Sequence, residues 1–321
     1  MSKKNQKLGD LLPDTVKTNW VNDKAPKWSV PYLRLSRIDR PIGTWLLLLP
    51  CWWGCLFAAG SDEYGFQILD LWIIIGCTIG SILMRGAGCT WNDLVDRKLD
   101  AEVLRTRDRP LPAKNITLGL AFLWLGLQLT LAFFVLITFN ALAIVVGLCS
   151  LIPVIIYPFA KRFTWWPQVF LGIAFNWGIL FAWTAHTGSL GSPAILLYFA
   201  GIIWTLFYDT IYAHQDLEDD LLVGIKSTAI FFGKNTKKWL TLFILLIGFC
   251  YLAAVLDAFS HTTQQKEITI SIIGMVLFCV HLIWQTFQVD INNWKSCLRV
   301  FRSNRNAGLI IVLSLTLTCL L

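Results

Sequence analysis

The sequence has 321 residues, of which 56% are hydrophobic and 15% are charged, and its formal net charge is +7 at pH 7. Soluble globular domains are usually about half apolar or less, so this composition excludes an ordinary soluble globule and predicts a membrane protein. The positive charge raises the hypothesis of a nucleic-acid partner. The basic residues fall between apolar runs, however, as the positive-inside rule requires, and we expect no nucleic-acid partner.

The first 30 residues precede the apolar runs and contain no continuous hydrophobic stretch. They include Asp10 and Asp14, so they match neither a secretory signal nor a transit peptide, which is rich in Arg and poor in acids. We interpret residues 1–30 as a cytoplasmic lead-in and residues 31–321 as a single transmembrane domain. This interpretation favours a bacterial inner (plasma) membrane, with the mitochondrial inner membrane as the alternative.

Apolar stretches of roughly 20 residues follow, which is the length that crosses a hydrocarbon core of about 30 Å. We predict nine spans, at 42–60, 70–90, 117–137, 140–160, 167–185, 194–213, 238–257, 268–287 and 306–321. Only a short turn around Phe139 and Asn140 separates the third from the fourth, which predicts a tight helical hairpin. The fold class is therefore all-α, a polytopic membrane helix bundle of about nine transmembrane helices.

The loops between the predicted spans alternate in charge, which indicates the orientation of the chain. The basic loops hold Lys3 to Arg40, Arg97 to Lys114, Lys161 and Arg162, Lys226 to Lys238, and Lys295 to Arg305. The loops between them are poor in Lys and Arg; residues 257–267 contain only Lys266. Nine spans place every basic loop on one side, which predicts a cytoplasmic N-terminus and an external C-terminus.

The first acidic cluster, N-D-L-V-D-R-K-L-D at 92–100, follows the second span. Asn92, Asp96 and Asp100 recur at i, i+4 and i+8, so on a helix they line one face. Asp93 lies off that stripe. Arg97 lies within the cluster and Arg107 soon after it; their guanidinium groups suit phosphate oxygens, although positive-inside topology also explains them.

The second acidic cluster, D-L-E-D-D at 216–220, follows the sixth span. Asp216 and Asp220 repeat the i, i+4 spacing, and Asp209 lies about two turns earlier on the same side. Lys226 follows in G-I-K-S-T, where a point-charge ammonium also suits phosphate. Both clusters fall on the predicted cytoplasmic side.

Oxygen ligands spaced in this way suit Mg²⁺, which typically takes one or two carboxylates together with phosphate oxygens. The two clusters therefore predict a Mg²⁺-dependent site for a diphosphate, whose departure the metal assists. One alternative is solvated surface charge. Another is a cation-coupled transporter, in which intramembrane acids form ion sites, although both clusters lie at one membrane face and not at the midplane.

Arg85 differs from the other basic residues because it lies inside the second span, two turns before Asn92. A charged side chain within a membrane span needs a partner. Three interpretations stand for Arg85: contact with a diphosphate, contact with a substrate carboxylate, or an ion pair with an internal Asp.

At these residues the sequence resembles the UbiA superfamily of intramembrane prenyltransferases, and more closely its 4-hydroxybenzoate polyprenyltransferase branch. The superfamily motifs N-D-x-x-D-x-x-x-D and D-x-x-x-D are met by residues 92–100 and by Asp216 to Asp220. The branch is indicated by R-I-D-R-P-I-G-T-W-L-L-L-L-P-C at 37–51, T-R-D-R-P-L-P at 106–112, Y-P-F-A-K-R at 157–162, and Y-D-T-I-Y-A-H-Q-D-L-E-D-D-L-L-V-G-I-K-S-T-A at 208–229. The resemblance runs from about residue 30 to the end.

The resemblance implies a bundle around a central cavity and transfer of a polyprenyl group from its diphosphate to the 3-position of 4-hydroxybenzoate, within the lipid bilayer, in ubiquinone biosynthesis. It implies catalytic carboxylates that act by binding Mg²⁺ and diphosphate, the ligands being Asn92, Asp96, Asp100, Asp216 and Asp220. Arg162 is the candidate for the benzoate carboxylate, with a positive-inside anchor as its alternative. The two acidic motifs are shared by relatives that prenylate haem, homogentisate or a naphthoate, and these acceptors remain alternatives.

Overall fold

The computed structural model describes residues 19–102, 106–215, 217, 224–260 and 265–320, and within these ranges it contains helices and no strand. The helices are α1 (Trp20–Asp23), α2 (Val30–Leu35), α3 (Ile42–Ser61), α4 (Ile68–Glu102), α5 (Leu118–Leu136), α6 (Ala141–Cys149), α7 (Leu151–Phe163), α8 (Pro167–Thr187), α9 (Ser192–Ala213), α10 (Thr228–Phe232), α11 (Thr236–Ala258), α12 (Gln265–Gln288) and α13 (Trp294–Cys319).

Eight helical stretches in the described ranges are long and apolar enough to cross a membrane by length and composition. They are α3, α4, α5, α6 with α7, α8, α9, α10 with α11, and α12. Helix α13 begins with a half that carries four basic residues, and its apolar half from 306 onward corresponds to the ninth predicted span. The all-α membrane fold is confirmed, and about nine spans agrees with these elements.

Local hydrogen bonding of the backbone explains two interruptions between consecutive helices. Asn140 caps α6 by accepting a hydrogen bond from the backbone N–H of Ala143, so the short turn after Phe139 closes the predicted hairpin. Pro153 has no N–H to donate to the carbonyl of Cys149, which explains why α6 and α7 are separate helices.

The chain forms two compact units, of which the first comprises the described residues up to Thr44 together with Ile79–Val135. Its apolar core joins Leu35, Leu94 and Leu111 with Ile116 and Ala121. Beside this core, the Nε1–H of Trp124 and the amide of Gln128 both donate to the hydroxyl of Ser36, at 2.8 and 2.7 Å. These bonds tie the segment after α2 to α5.

The second unit comprises Trp45–Thr78 and the described residues from Leu136 onward. Trp53 stacks on Trp204 with ring centroids 4.9 Å apart, and Phe278 lies edge-on to both. The indole N–H of Trp53 donates to the carbonyl of Gly308, and that of Trp204 donates to Asn304, each at 3.0 Å. A side chain at Gly308 would overlap Leu49 and crowd Trp204, so a small residue is required at this contact between helices.

A buried ion-pair cluster in the second unit fixes the end of α8. His186 Nδ1 lies 2.6 Å from an oxygen of Asp70, and its Nε2 lies 3.2 Å from an oxygen of Asp62. An ionised carboxylate only accepts hydrogen bonds, so two such partners require both ring nitrogens to carry hydrogen. Asp70 is fully buried and also accepts from the backbone N–H of Gln67, whereas the side chain of Asp62 is 32% exposed.

We expect Asp70→Asn to lower the free energy of unfolding by about 3 kcal/mol, because it leaves a buried imidazolium without its closer counter-ion. Asp62→Asn, which removes a partly exposed partner, should cost at most about 1 kcal/mol. Chemical unfolding of both variants in the same detergent measures the difference. Equal losses in the two variants would contradict the assignment of Asp70 as the main partner.

Candidate functional site

The first acidic cluster lies on α4, which continues as a helix beyond the predicted apolar span to Glu102. The helical stripe predicted for Asn92, Asp96 and Asp100 is therefore present. The exposed fractions of Asp93, Asp96 and Asp100 are 0%, 1% and 6%. Three buried carboxylates within eight residues repel one another, so this arrangement depends on cations close by.

Two arginines supply positive charge to this cluster from outside α4. Arg37 Nη2 lies 2.6 Å from Oδ1 of Asp93. Arg109 Nη1 lies 3.4 Å from the same oxygen and 2.8 Å from Oδ2 of Asp100. We call Arg37, Asp93, Arg109 and Asp100 the carboxylate–arginine network. It joins three separate segments of the first unit: the end of α2, helix α4 and the loop before α5.

Local backbone bonds position both arginines. Arg37 follows α2 with φ at +57°, a conformation that side chains with a Cβ rarely adopt, and its Nη1 donates to the carbonyl of Arg34 at 2.9 Å. Near Arg109, the hydroxyl of Thr106 donates to the carbonyl of Asp100 at 2.9 Å, and the N–H of Arg109 donates to the carbonyl of Thr106. The loop is thus tied to the end of α4.

The predicted basic residues of this region occupy different environments. Arg97 donates to the carbonyl of Leu94 at 2.8 Å. The side chain of Arg107 is 54% exposed and lies 4.0 Å from Asp108. Arg109, two residues later, contacts Asp93 and Asp100 of the acidic cluster. The sequence placed Asp93 off the ligand stripe, and the structure shows that its carboxylate is instead bonded to Arg37.

Arg85 lies on α4 with its guanidinium group directly over the α-carbon of Gly43. A Cβ at position 43 would overlap three atoms of that group, so only glycine accommodates Arg85 in this position. A residue with a Cβ in place of this glycine of R-P-I-G-T-W would require the guanidinium, the end of a flexible side chain, to move. Arg85 stands out in the sequence because it lies inside an apolar span, but no local pattern connects it to Gly43, which is 42 positions away.

The second acidic cluster is seen only in part. Asp216 and Asp220 lie outside the described residues, and Asp209 is half-buried near the end of α9. The hydroxyl groups of Thr210 and Thr228 lie 2.7 Å apart, which ties the end of α9 to α10.

His214, immediately after α9, bonds to the hydroxyl of Thr236 at 3.0 Å. Burial lowers the pKa of His214 to about 4, so this imidazole is neutral at neutral pH.

Two predicted substrate-binding residues, Arg162 and Lys226, lie in segments that the structure joins. The backbone N–H of Lys226 donates to the carbonyl of Lys161 at 3.1 Å, and its Nζ lies 3.5 Å from the carbonyl of Phe163 and 5.5 Å from the ring centre of Trp165. Arg162 lies over the ring of Phe159 at 5.4 Å. A basic surface is thus formed where α7 ends and the 224–227 segment passes.

The oxygen donors of the first cluster fit a divalent cation. Oδ2 of Asp93 is buried and has no hydrogen-bond partner in the part of the chain that the structure describes. Arg37 and Arg109 contact two of the three buried carboxylates, Asp93 and Asp100, and a divalent cation would add positive charge beside these oxygen donors. Among the residues that the structure describes, no group of three or more His, Cys, Asp or Glu side chains is arranged to hold a metal ion by itself. Mg²⁺ typically requires only one or two carboxylates, since substrate oxygens and water complete its shell.

Comparison with known proteins gives consistent matches. A model of the "UbiA prenyltransferase family" matches residues 47–310. The mitochondrial 4-hydroxybenzoate polyprenyltransferase of Rattus norvegicus is 45% identical over 92% of this chain and 77% of its own length. The protein of that name from Homo sapiens is 45% identical with the same two coverages.

Two solved structures share the fold. A UbiA homolog from Aeropyrum pernix K1 has a TM-score of 0.68 at 21% identity, covering 85% of this chain and 97% of its own. A UbiA homolog from Archaeoglobus fulgidus bound to DMAPP and Mg²⁺ has a TM-score of 0.67 at 18% identity, covering 90% and 99%. The helical architecture, the acidic motif on α4 and the family match over most of the sequence lead to one conclusion: this chain belongs to the UbiA prenyltransferase family.

Proposed function

We propose that this enzyme transfers a polyprenyl group from an allylic polyprenyl diphosphate to the 3-position of 4-hydroxybenzoate and releases diphosphate, in ubiquinone biosynthesis. The observation that carries the proposal is the 45% identity, over 92% of the chain, to relatives named 4-hydroxybenzoate polyprenyltransferase. The same identity makes a haem, homogentisate or naphthoate acceptor, or a transport function, the weaker hypothesis.

We assign the binding of Mg²⁺ and diphosphate to Asn92, Asp96 and Asp100 of the first cluster and to Asp216 and Asp220 of the second. Support comes from the buried, oxygen-rich face on α4 and from a family member solved with DMAPP and Mg²⁺. When bound, Mg²⁺ neutralises charge on the diphosphate and so assists cleavage of the allylic C–O bond. The carboxylates act here as metal ligands, and we assign none of them as a general base.

The basic residues are assigned to the anionic groups of the substrates. Arg97, Arg107 and Lys226 are proposed to contact diphosphate oxygens, and Asp209 to support this substrate site from α9. Arg162 is proposed to hold the benzoate carboxylate, and Arg85 to bind a substrate anion from α4. Guanidinium groups suit both anions because they donate two parallel hydrogen bonds.

The bilayer contributes to the reaction through exclusion of water. The ring carbon ortho to the phenol oxygen attacks the allylic carbon as the C–O bond breaks, and diphosphate departs with the electron pair of that bond. The ring then releases one H⁺ and regains its aromaticity, so the products are the prenylated phenol, diphosphate and a proton. A site within a helix bundle keeps water from competing for the allylic carbon. The polyprenyl tail gains about 0.8 kcal/mol per CH₂ from lipid surroundings, so a membrane site also concentrates the donor.

The protein is a multi-pass membrane protein, and we propose the mitochondrial inner membrane as its compartment. The relatives from Rattus norvegicus and Homo sapiens are both named as mitochondrial. They favour the compartment that the sequence left as the alternative, and they give no support to the bacterial inner membrane.

The acceptor is tested by incubating the purified enzyme with Mg²⁺, one polyprenyl diphosphate and a panel of acceptors. We expect 4-hydroxybenzoate to be prenylated, and we expect haem, homogentisate and a naphthoate to give no product at the same concentration. Chromatography with mass detection identifies the product. Prenylation of another acceptor without any of 4-hydroxybenzoate would contradict the proposed branch.

The metal-ligand assignment predicts that Asp96→Asn lowers turnover by about 100-fold or more, because it removes charge that holds the cation at the leaving group. Asp108→Asn is the matched control, since it makes the same change at a half-exposed position in the following loop. Initial rates should be measured for both at saturating Mg²⁺. Full turnover by folded Asp96→Asn would contradict the role of Asp96.

The contact between Gly43 and Arg85 predicts that Gly43→Ala lowers kcat/KM by about 10- to 100-fold, because a methyl group would displace the guanidinium. Gly80→Ala is the matched control, since a Cβ at this position, about three turns before Asn92 on α4, meets no atom within 4 Å. Rates measured while each substrate is varied in turn show whose binding is affected. Equal activity of the two variants would contradict a substrate role for Arg85.

A further inference from the structure

Asp93 is the carboxylate of the first cluster that the ligand stripe leaves without a role. It is fully buried, and its Oδ1 accepts hydrogen bonds from both Arg37 and Arg109. Burial of a charged group in this environment is costly, and a carboxylate that only balanced Arg37 would have no need of a second arginine. The geometry suggests that Asp93 controls the position of a neighbouring charged side chain.

Arg109 is that neighbour, because it is shared between two carboxylates. Its Nη1 lies 2.8 Å from Oδ2 of Asp100 and 3.4 Å from Oδ1 of Asp93, so Asp100 is the closer partner. Asp100 is also one of the residues assigned to Mg²⁺. A guanidinium bonded to a metal-binding carboxylate competes with the metal for it, since both are cations that need the same oxygen lone pairs.

The other oxygen of Asp93 provides a place for Arg109 to go. Oδ2 of Asp93 is buried and accepts no hydrogen bond from any residue that the structure describes. An ionised carboxylate has about four lone-pair sites, so Asp93 retains capacity for a second N–H of Arg109. An arginine that leaves Asp100 would otherwise be a buried cation without a counter-ion, which is strongly unfavourable.

We propose that Asp93 is a positioning residue that receives Arg109 when Mg²⁺ binds Asp100. In the metal-free protein Arg109 neutralises Asp100 and keeps the carboxylates from repelling one another. When the metal binds, Arg109 would transfer its hydrogen bonds to Asp93, and Asp100 would then hold the cation in place of the guanidinium. The inference rests on the proposed function, because it takes Asp100 as a metal ligand.

The test is a titration of the enzyme in detergent with Mg²⁺, followed by the rise in apparent melting temperature, with no substrate present. We expect Asp93→Asn to raise the Mg²⁺ concentration for half-maximal stabilisation about tenfold, because Arg109 then stays on Asp100. Asp108→Asn, the same change at an exposed carboxylate, should shift it by less than about twofold.

A double-mutant cycle with Arg109→Gln shows whether Asp93 acts through Arg109. We expect the double variant to have the same Mg²⁺ requirement as Arg109→Gln alone. Without the guanidinium of Arg109, Asp93 can no longer draw a cation away from Asp100. A tenfold effect of Asp93→Asn that persists in the Arg109→Gln background overturns the proposal, and so does a wild-type Mg²⁺ requirement in Asp93→Asn.

If Asp93→Asn does not fold, Asp93→Glu keeps the charge and displaces the carboxylate by one methylene. A rise in the Mg²⁺ requirement of at least about twofold is then expected, and an unchanged value overturns the proposal. The results of this titration can be distinguished from those of the acceptor panel. A wild-type protein that Mg²⁺ does not stabilise without substrate overturns this inference, which requires the metal to bind Asp100 in the substrate-free protein. Failure to prenylate 4-hydroxybenzoate, by contrast, leaves the titration result intact.

Discussion

Charged groups inside an apolar helix bundle must be neutralised by neighbours, and this requirement organises both units of the protein. In the first unit Arg37 and Arg109 bind the buried carboxylates of α4. In the second unit His186 lies between Asp62 and Asp70. Removal of one partner from such a group leaves a buried charge and costs more than the pair itself contributes. The ion pairs therefore restrict which conformations the segments between helices can adopt.

If Asp100 binds Mg²⁺ as proposed, the same requirement explains how its site can form before the metal is bound. Carboxylates that bind a divalent cation repel one another when the cation is absent, and in a low-dielectric interior that repulsion is large. An arginine reduces it, but an arginine that holds a ligand too firmly would exclude the metal. The carboxylate–arginine network can balance the carboxylates without holding Asp100 too firmly, because Arg109 is shared between Asp100 and Asp93. In addition, Oδ2 of Asp93 accepts no hydrogen bond from any residue that the structure describes.

The sequence predicted the features that depend on local pattern. Apolar runs located the membrane helices, and the i, i+4, i+8 spacing placed Asn92, Asp96 and Asp100 on one face because α4 is helical there. Features that depend on contacts between distant segments were not predictable. Arg107 and Arg109 are equivalent in a sequence, and only the conformation of the loop directs Arg109 to the cluster and Arg107 to solvent.

The steric contact between Gly43 and Arg85 was also not predictable from the sequence. Glycine in a string such as P-I-G-T-W suggests a turn or helix packing, and nothing nearby indicates that the end of an arginine from another helix lies over it. The pairing of His186 with Asp62 and Asp70 was missed for a similar reason. The three residues belong to loops and helix ends that are far apart in the sequence, and no local pattern there indicates that they meet.

The backbone of Arg37 has a consequence for how this protein tolerates mutation. With φ at +57° the residue occupies a conformation that glycine adopts without strain, so a glycine there would relax the chain locally. Glycine would also remove the guanidinium that balances Asp93. An unbalanced buried carboxylate costs about 3–5 kcal/mol, whereas relief of the left-handed backbone returns about 1–2 kcal/mol. Stability alone therefore favours arginine over glycine at this position, and laboratory evolution toward heat resistance should keep it.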